Sequence, residues 1–115
     1  MIKGLPDAGK PVRWVGSSLE DLRRLPKSAK IAVGFELVLL KQEEEPTDYV
    51  YMASVGNGAY KIRVSEENGR VYWFMCTILD GAIYVLHSFP ENSSVREQEH
   101  ISLARERMKA VAGNS

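Results

Sequence analysis

The sequence predicts an α+β domain in which helices flank an antiparallel sheet, with elements in the order β-α-α-β-β-β-α. Three observations lead there. Residues 59 to 89 read as three strands joined by two minimal turns. Two helical runs meeting at Pro26 precede them, and one long helical run follows. Helices gathered around a β-meander form the α+β layer arrangement.

The meander carries the strongest signal. Ala59 to Val64 is the first run, and Val71 to Leu79 the second, across a Glu67-Asn68-Gly69 corner. Asp80-Gly81 then turns the chain into Ala82 to Phe89. Asn-Gly and Asp-Gly tolerate the positive φ angles of tight hairpins, and aromatic and β-branched residues crowd both sides. Tyr60, Ile62 and Val64 alternate with Lys61, Arg63 and Ser65, so the first strand has an apolar and a polar face. The other two strands are apolar on both faces, as central covered strands are.

The remaining elements follow in order. Residues 1–9 are expected to be a disordered leader, and residues 10–115 a single domain. Lys10 to Val15 is a short strand that Gly16 ends. Ser17-Ser18-Leu19-Glu20 has capping-box spacing and opens a helix from Ser18 to Leu25. Pro26 stops that helix and can begin the next, from about Lys27 to Gln42. There Ile31, Phe35, Val38 and Leu39 form the expected buried stripe. The polar stretch from Gln42 to Met52, with Pro46, reads as a loop. Ser94-Val95-Arg96-Glu97 is a second capping-box pattern, opening a helix from about Val95 to Val111 that Gly113 and Asn114 terminate.

Composition limits the function classes. The 115 residues suit one core. Fifteen basic residues balance fifteen acidic ones, which leaves no overall basic footprint for nucleic acid. The single cysteine, Cys76, offers neither a disulfide framework nor a thiolate metal cluster, and suits a reducing cytoplasm. The longest apolar run, Val71 to Leu79, falls short of the about 20 residues of a membrane helix, so no membrane partner is expected. No phosphate-cradling glycine loop and no His-Glu-x-x-His is present, so no cofactor is expected.

The chemistry-bearing residues on or beside the meander are Lys61, Arg63, Arg70, Tyr72, Tyr84 and His87, of which all but Tyr84 are the site candidates. Such a set can cleave RNA without a metal. A base takes the 2′-hydroxyl proton, cations hold the phosphorane charge, and an acid protonates the leaving 5′-oxygen. Each residue also has a structural reading. Lys61 and Arg63 suit a solvated sheet face. His87, by strict alternation, shares a face with Ile83, Val85 and Phe89, as a core-edge histidine does. Glu43-Glu44-Glu45 is a solvated helix end, mildly unfavourable beside a helix C-terminus.

Several stretches resemble one family. Lys10-Pro11, Trp14 to Arg23, Phe35-Glu36-Leu37, Ile62-Arg63-Val64, Ala82 to Phe89 and Ile101-x-Leu103-Ala104-x-x-Arg107 are similar to HigB-like proteins, phage-derived members of the RelE superfamily of toxins. The resemblance implies a RelE-like fold, a small curved antiparallel sheet flanked by helices. It implies the toxin of a type II toxin–antitoxin pair, a metal-independent mRNA endoribonuclease acting on the ribosome, and a cognate helix-turn-helix antitoxin. Tyr72 stands where the family carries arginine, and Phe89-Pro90-Glu91-Asn92 replaces a lysine-rich run. Arg63 is the matching cation. Cleavage weaker than that of basic relatives is therefore expected. A RelE-fold binding module that no longer cleaves, or a small-ligand protein using the aromatic groove, are the competing readings.

Overall fold

The computed structural model describes residues 9–112. In chain order its elements are β1 (Val12–Trp14), α1 (Ser18–Arg23), α2 (Lys27–Lys41), β2 (Tyr49–Tyr51), β3 (Ala59–Ser65), β4 (Val71–Leu79), β5 (Ala82–Pro90) and α3 (Glu97–Ala112). The strands form one open sheet in the order β1-β5-β4-β3-β2. The fold is α+β as expected, with α1 and α2 on one face and α3 on the other.

The meander forms at the expected turns. Asp80 and Gly81 both have positive φ, at 51° and 76°, and Gly69 has φ 88°. Two features of the sheet differ from the expectation. β1 runs parallel to β5, pairing Val12 with Ile83 and Trp14 with Val85, so the sheet is mixed rather than antiparallel. The predicted loop before the meander contains an extra edge strand, β2, antiparallel to β3. Tyr49, Tyr51 and Tyr60 pack ring to ring across that pair, which supplies the cross-strand contact a three-residue strand needs.

Helix α2 also turns the other way. Ala29, Val33, Leu37 and Leu40 are its buried stripe, against Ile62, Phe74 and Ile83, while Ile31 and Phe35 face outward. Both stripes are apolar at helical spacing. The buried stripe has the smaller side chains Ala29 and Val33, and buried Glu36 on the same side ties the following loop through the Thr47 N–H and hydroxyl.

Neither predicted capping box forms as such. Ser17 makes no side-chain cap, its hydroxyl being taken by Arg107 from α3. α3 begins at Glu97, whose carboxylate turns to Lys61 on β3. Of the predicted leader only Gly9 is described, and the predicted helix stop at Gly113 and Asn114 lies outside the described residues.

Candidate functional site

A β-bulge builds the site. β5 pairs with β4 in simple register from Ala82 to Val85, then Met75 pairs with His87, so Leu86 is an extra residue. Because side chains alternate, one extra residue reverses the faces downstream. Ile83 and Val85 join the core under α2, whereas Leu86 and Phe89 join the core under α3. His87 therefore does not share a face with Ile83 and Val85, as alternation predicted. It turns toward α3, stacking with Phe89 and packing on His100. β1 pairs only with Ile83 to Val85, so the rest of β5 lines an edge without a strand neighbour among the described residues.

Four elements meet at that edge. His87 Nδ1 lies 3.1 Å from Asp21 Oδ2 on α1, and His87 Nε2 lies 2.7 Å from His100 Nδ1 on α3. His100 Nε2 lies 3.0 Å from the Ser93 hydroxyl, which also accepts the Val95 N–H at 3.1 Å. The partners fix the tautomers. The Asp21 carboxylate only accepts, so His87 carries its proton on Nδ1; its Nε2 then accepts from His100 Nδ1–H, and Ser93 donates to His100 Nε2. The result is one directed chain, Ser93 to His100 to His87 to Asp21. Arg107 locks its far end, donating to Asp21 Oδ2 at 2.9 Å, to the Leu86 carbonyl at 2.8 Å and to Ser17 Oγ at 2.7 Å.

Burial is the main reason both imidazoles titrate below the ordinary 6.5. For His87, the carboxylate of Asp21 pulls the other way, and His100 and Arg107 add to the depression. For His100, nearby Glu99, Asp21 and Glu97 only partly oppose the loss of solvation. Near neutral pH both rings are uncharged, the state in which His100 can accept a proton.

Two cavities flank His100. One, of about 460 Å³, is lined by Arg24, Arg70, Tyr72, His87, Ser88 and His100 among others. The second, of about 280 Å³, is lined by Lys61, Trp73, Glu97, Ser93 and His100 among others. Four of the five predicted site residues thus reach the same neighbourhood. Arg70 and Tyr72 join His87 in the larger cavity, and Lys61 lies in the smaller one. Arg63 lines neither cavity; it pairs with Asp48 at 3.7 Å and bonds Ser65 Oγ.

Their states differ from free side chains. Lys61 is buried rather than on a solvated face, paired with Glu97 and lying 4.1 Å from the Trp73 ring centroid. The Tyr72 hydroxyl donates to Glu66, and that bond is the leading cause of its raised pKa. Ser88 Oγ is buried with no hydrogen-bond partner and belongs to the lining of the larger cavity. A buried hydroxyl with nothing to bond suits a ligand oxygen. Cys76 is fully buried, and burial alone pushes its thiol far up, leaving it inert.

Asp21, Ser93, His100 and Arg107 were not among the predicted site residues. Their signal is faint: His100, Ala104, Arg107 and Met108 share one helical face, an odd place for an imidazole and a guanidinium. Together the groups can move a proton through His100 while Arg24 and Arg70 meet an anion. Among the described residues, no group of three or more His, Cys, Asp or Glu side chains is placed to hold a metal ion. No described helix is long and apolar enough to cross a membrane. A family profile described as "Phage derived protein Gp49-like (DUF891)" matches residues 20–109. No curated protein matches the chain.

Proposed function

The chain belongs to the Gp49-like family of phage-derived proteins, and from that premise we propose that it is the toxin of a type II toxin–antitoxin pair. In this reading it has a RelE-like, HigB-like role: a metal-independent endoribonuclease that cuts messenger RNA on the ribosome, in the cytoplasm, until a helix-turn-helix antitoxin quiets it. The observation that carries the reading is the directed chain from Ser93 through His100 and His87 to Asp21, beside a cavity with Arg24 and Arg70 at its walls.

The chemistry assigns one role to each group. The RNA 2′-hydroxyl takes the place of the Ser93 hydroxyl at His100 Nε2 and loses its proton there. Its oxygen bonds to the adjacent phosphorus as the bond from phosphorus to the 5′-oxygen breaks. Charge arriving on His100 is shared with His87 and stabilised by Asp21, the logic of an imidazole backed by a carboxylate. Arg24 and Arg70 meet the phosphate oxygens. Tyr72, once its hydroxyl turns from Glu66, gives the proton to the 5′-oxygen.

Induced expression in a bacterial host, scored for growth arrest and transcript cleavage, tests this. His100→Ala is expected to lower cleavage about 100-fold or more, the usual worth of a positioned base. A His100→Ala variant that cleaves like wild type refutes the site.

One observation favours a second reading. Lys61 and Arg63 are each already paired with a carboxylate, from Glu97 and Asp48. Cations matched within the chain attract phosphate less. That arrangement suits a RelE-fold module that keeps a protein partner without cutting RNA, and a wild type with neither arrest nor cleavage selects it.

A further inference from the structure

Helix α2 is apolar on two opposite sides, and only one is covered. On the outer side Ile31 and Phe35 are 63% and 58% exposed, with Val38 and Leu39 half-buried beside them. Residues 31, 35 and 38 fall at the 4- and 3-residue spacing of a seam meant for another helix.

The charges at the two ends of α2 point to what covers it. Its first turn contains Lys27 and Lys30, no acidic residue and no side-chain cap, although the N-terminal end of a helix favours negative charge. Just past its C-terminus stand Glu43, Glu44 and Glu45, all exposed, where a helix favours positive charge. Lys41 in the last turn is buried and donates to the Lys10 carbonyl, so the charges turned outward are Lys27 and Lys30 at one end and Glu43 to Glu45 at the other, each matched to the opposite end of a second copy.

We infer that α2 is the seam of a homodimer in which the helices of two copies pack antiparallel about a twofold axis at Phe35. On that axis Phe35 meets its counterpart. Ile31, four residues before, faces Leu39 of the second copy, four residues after, with Val38 filling the same layer. Lys27, at the start of the helix, lies toward the C-terminal end of the partner helix, where Glu43 stands two residues past Lys41 in a left-handed turn with φ 62°. Lys10 holds Glu43 Oε1 within its own chain, so the second oxygen is the one offered across the seam. An isologous contact requires such a self-complementary pattern, which an unrelated partner does not. The two Glu43–Glu45 runs then lie against the uncapped N-termini of the partner helices. The inference is independent of RNA cleavage, because the seam lies on the face of α2 turned away from the sheet.

Sedimentation equilibrium of the full chain, from low-micromolar to near-millimolar concentration, tests it. The mass of the wild type is expected to rise from one chain to two. Phe35→Glu should remain monomeric throughout with an unchanged unfolding midpoint, since Phe35 makes no part of the core. Lys27→Glu and Glu43→Lys should each weaken self-association on the order of tenfold, because each creates two like-charged contacts per dimer. Mixed together, the two variants should associate like wild type, because every cross-seam pair in the mixed dimer is again opposite in sign. Three results overturn the inference: a wild type that stays monomeric, a Phe35→Glu chain that still dimerises, or a mixture no tighter than either variant alone. A monomer whose outer α2 face binds only a different protein also overturns it.

Discussion

Acidification below pH 6.5 should weaken the fold through two imidazoles. Both His87 and His100 titrate lower in the folded protein than the 6.5 of an unfolded chain, chiefly because they are buried. Above 6.5 neither state binds the proton and nothing changes. Between 6.5 and the folded values the unfolded chain takes up protons that the native protein refuses, so stability falls as pH falls. Each imidazole contributes at most about 1.4 kcal/mol per pH unit, so both together reach a ceiling of about 2.8 kcal/mol at about pH 5.5. For a domain of this size that ceiling corresponds to a drop of at most about 10 °C in the unfolding midpoint. The carboxylates of Glu43 and Glu66 titrate below 4.5, so the stability they add is lost only under more acidic conditions. The assay is thermal unfolding followed by circular dichroism between about pH 7.5 and about pH 5.5. The chain has two histidines in all, so His87→Gln with His100→Gln makes a histidine-free protein, whose midpoint should be flat across that window. A flat wild type refutes the reasoning, and so does a slope that survives in the double variant.

Four further outcomes are expected. Arg107→Ala removes the donor to Asp21, Leu86 and Ser17 and should cost about 3 kcal/mol in urea unfolding, since it leaves a half-buried carboxylate without its cation; a cost under about 1 kcal/mol contradicts the clamp. Glu36→Ala should cost about 2 kcal/mol and speed amide exchange across Tyr49–Tyr51, because the Thr47 N–H and hydroxyl lose their acceptor. Gly69→Ala should cost about 1 kcal/mol from its φ of 88° alone, with no clash to repair, as denaturant titration will show. Arg63→Ala should shift the unfolding midpoint by no more than about 3 °C, since its ion pair is exposed; if growth arrest vanishes in that variant, RNA crosses β3 rather than the cavities.

The meander was legible because its information is local: Asn68-Gly69 and Asp80-Gly81 set the turns, and the runs between them have strand composition. What failed was information that only packing supplies. Nothing in Leu86 marks it as the extra residue, and with it goes the face of His87. Both stripes of α2 have helical spacing, so periodicity could not choose between Ile31 and Phe35 on one side and Val33 and Leu37 on the other. Tyr49 to Tyr51 is too short to stand out from the polar stretch around it, and the pairing with β3 makes it a strand. Arg70, Tyr72 and His87 were found as polar residues on or beside strands. Asp21 and Arg107, far apart along the chain, meet only because α1 and α3 both lean on the open edge of β5.

That assembly has a consequence for a chain as it is being made. Synthesis runs from the first residue onward, so a polypeptide grown as far as β5 already has Asp21 and His87 yet lacks both His100 and Arg107. At that length the His87 ring has no imidazole to pass a proton to, and the Asp21 carboxylate has no guanidinium to hold it. β1, too, waits for residues 83 to 85 before it has a neighbour. The proton path therefore closes only once α3 has been made. If the protein attacks translation, its product can do no harm until α3 has left the ribosome that makes it.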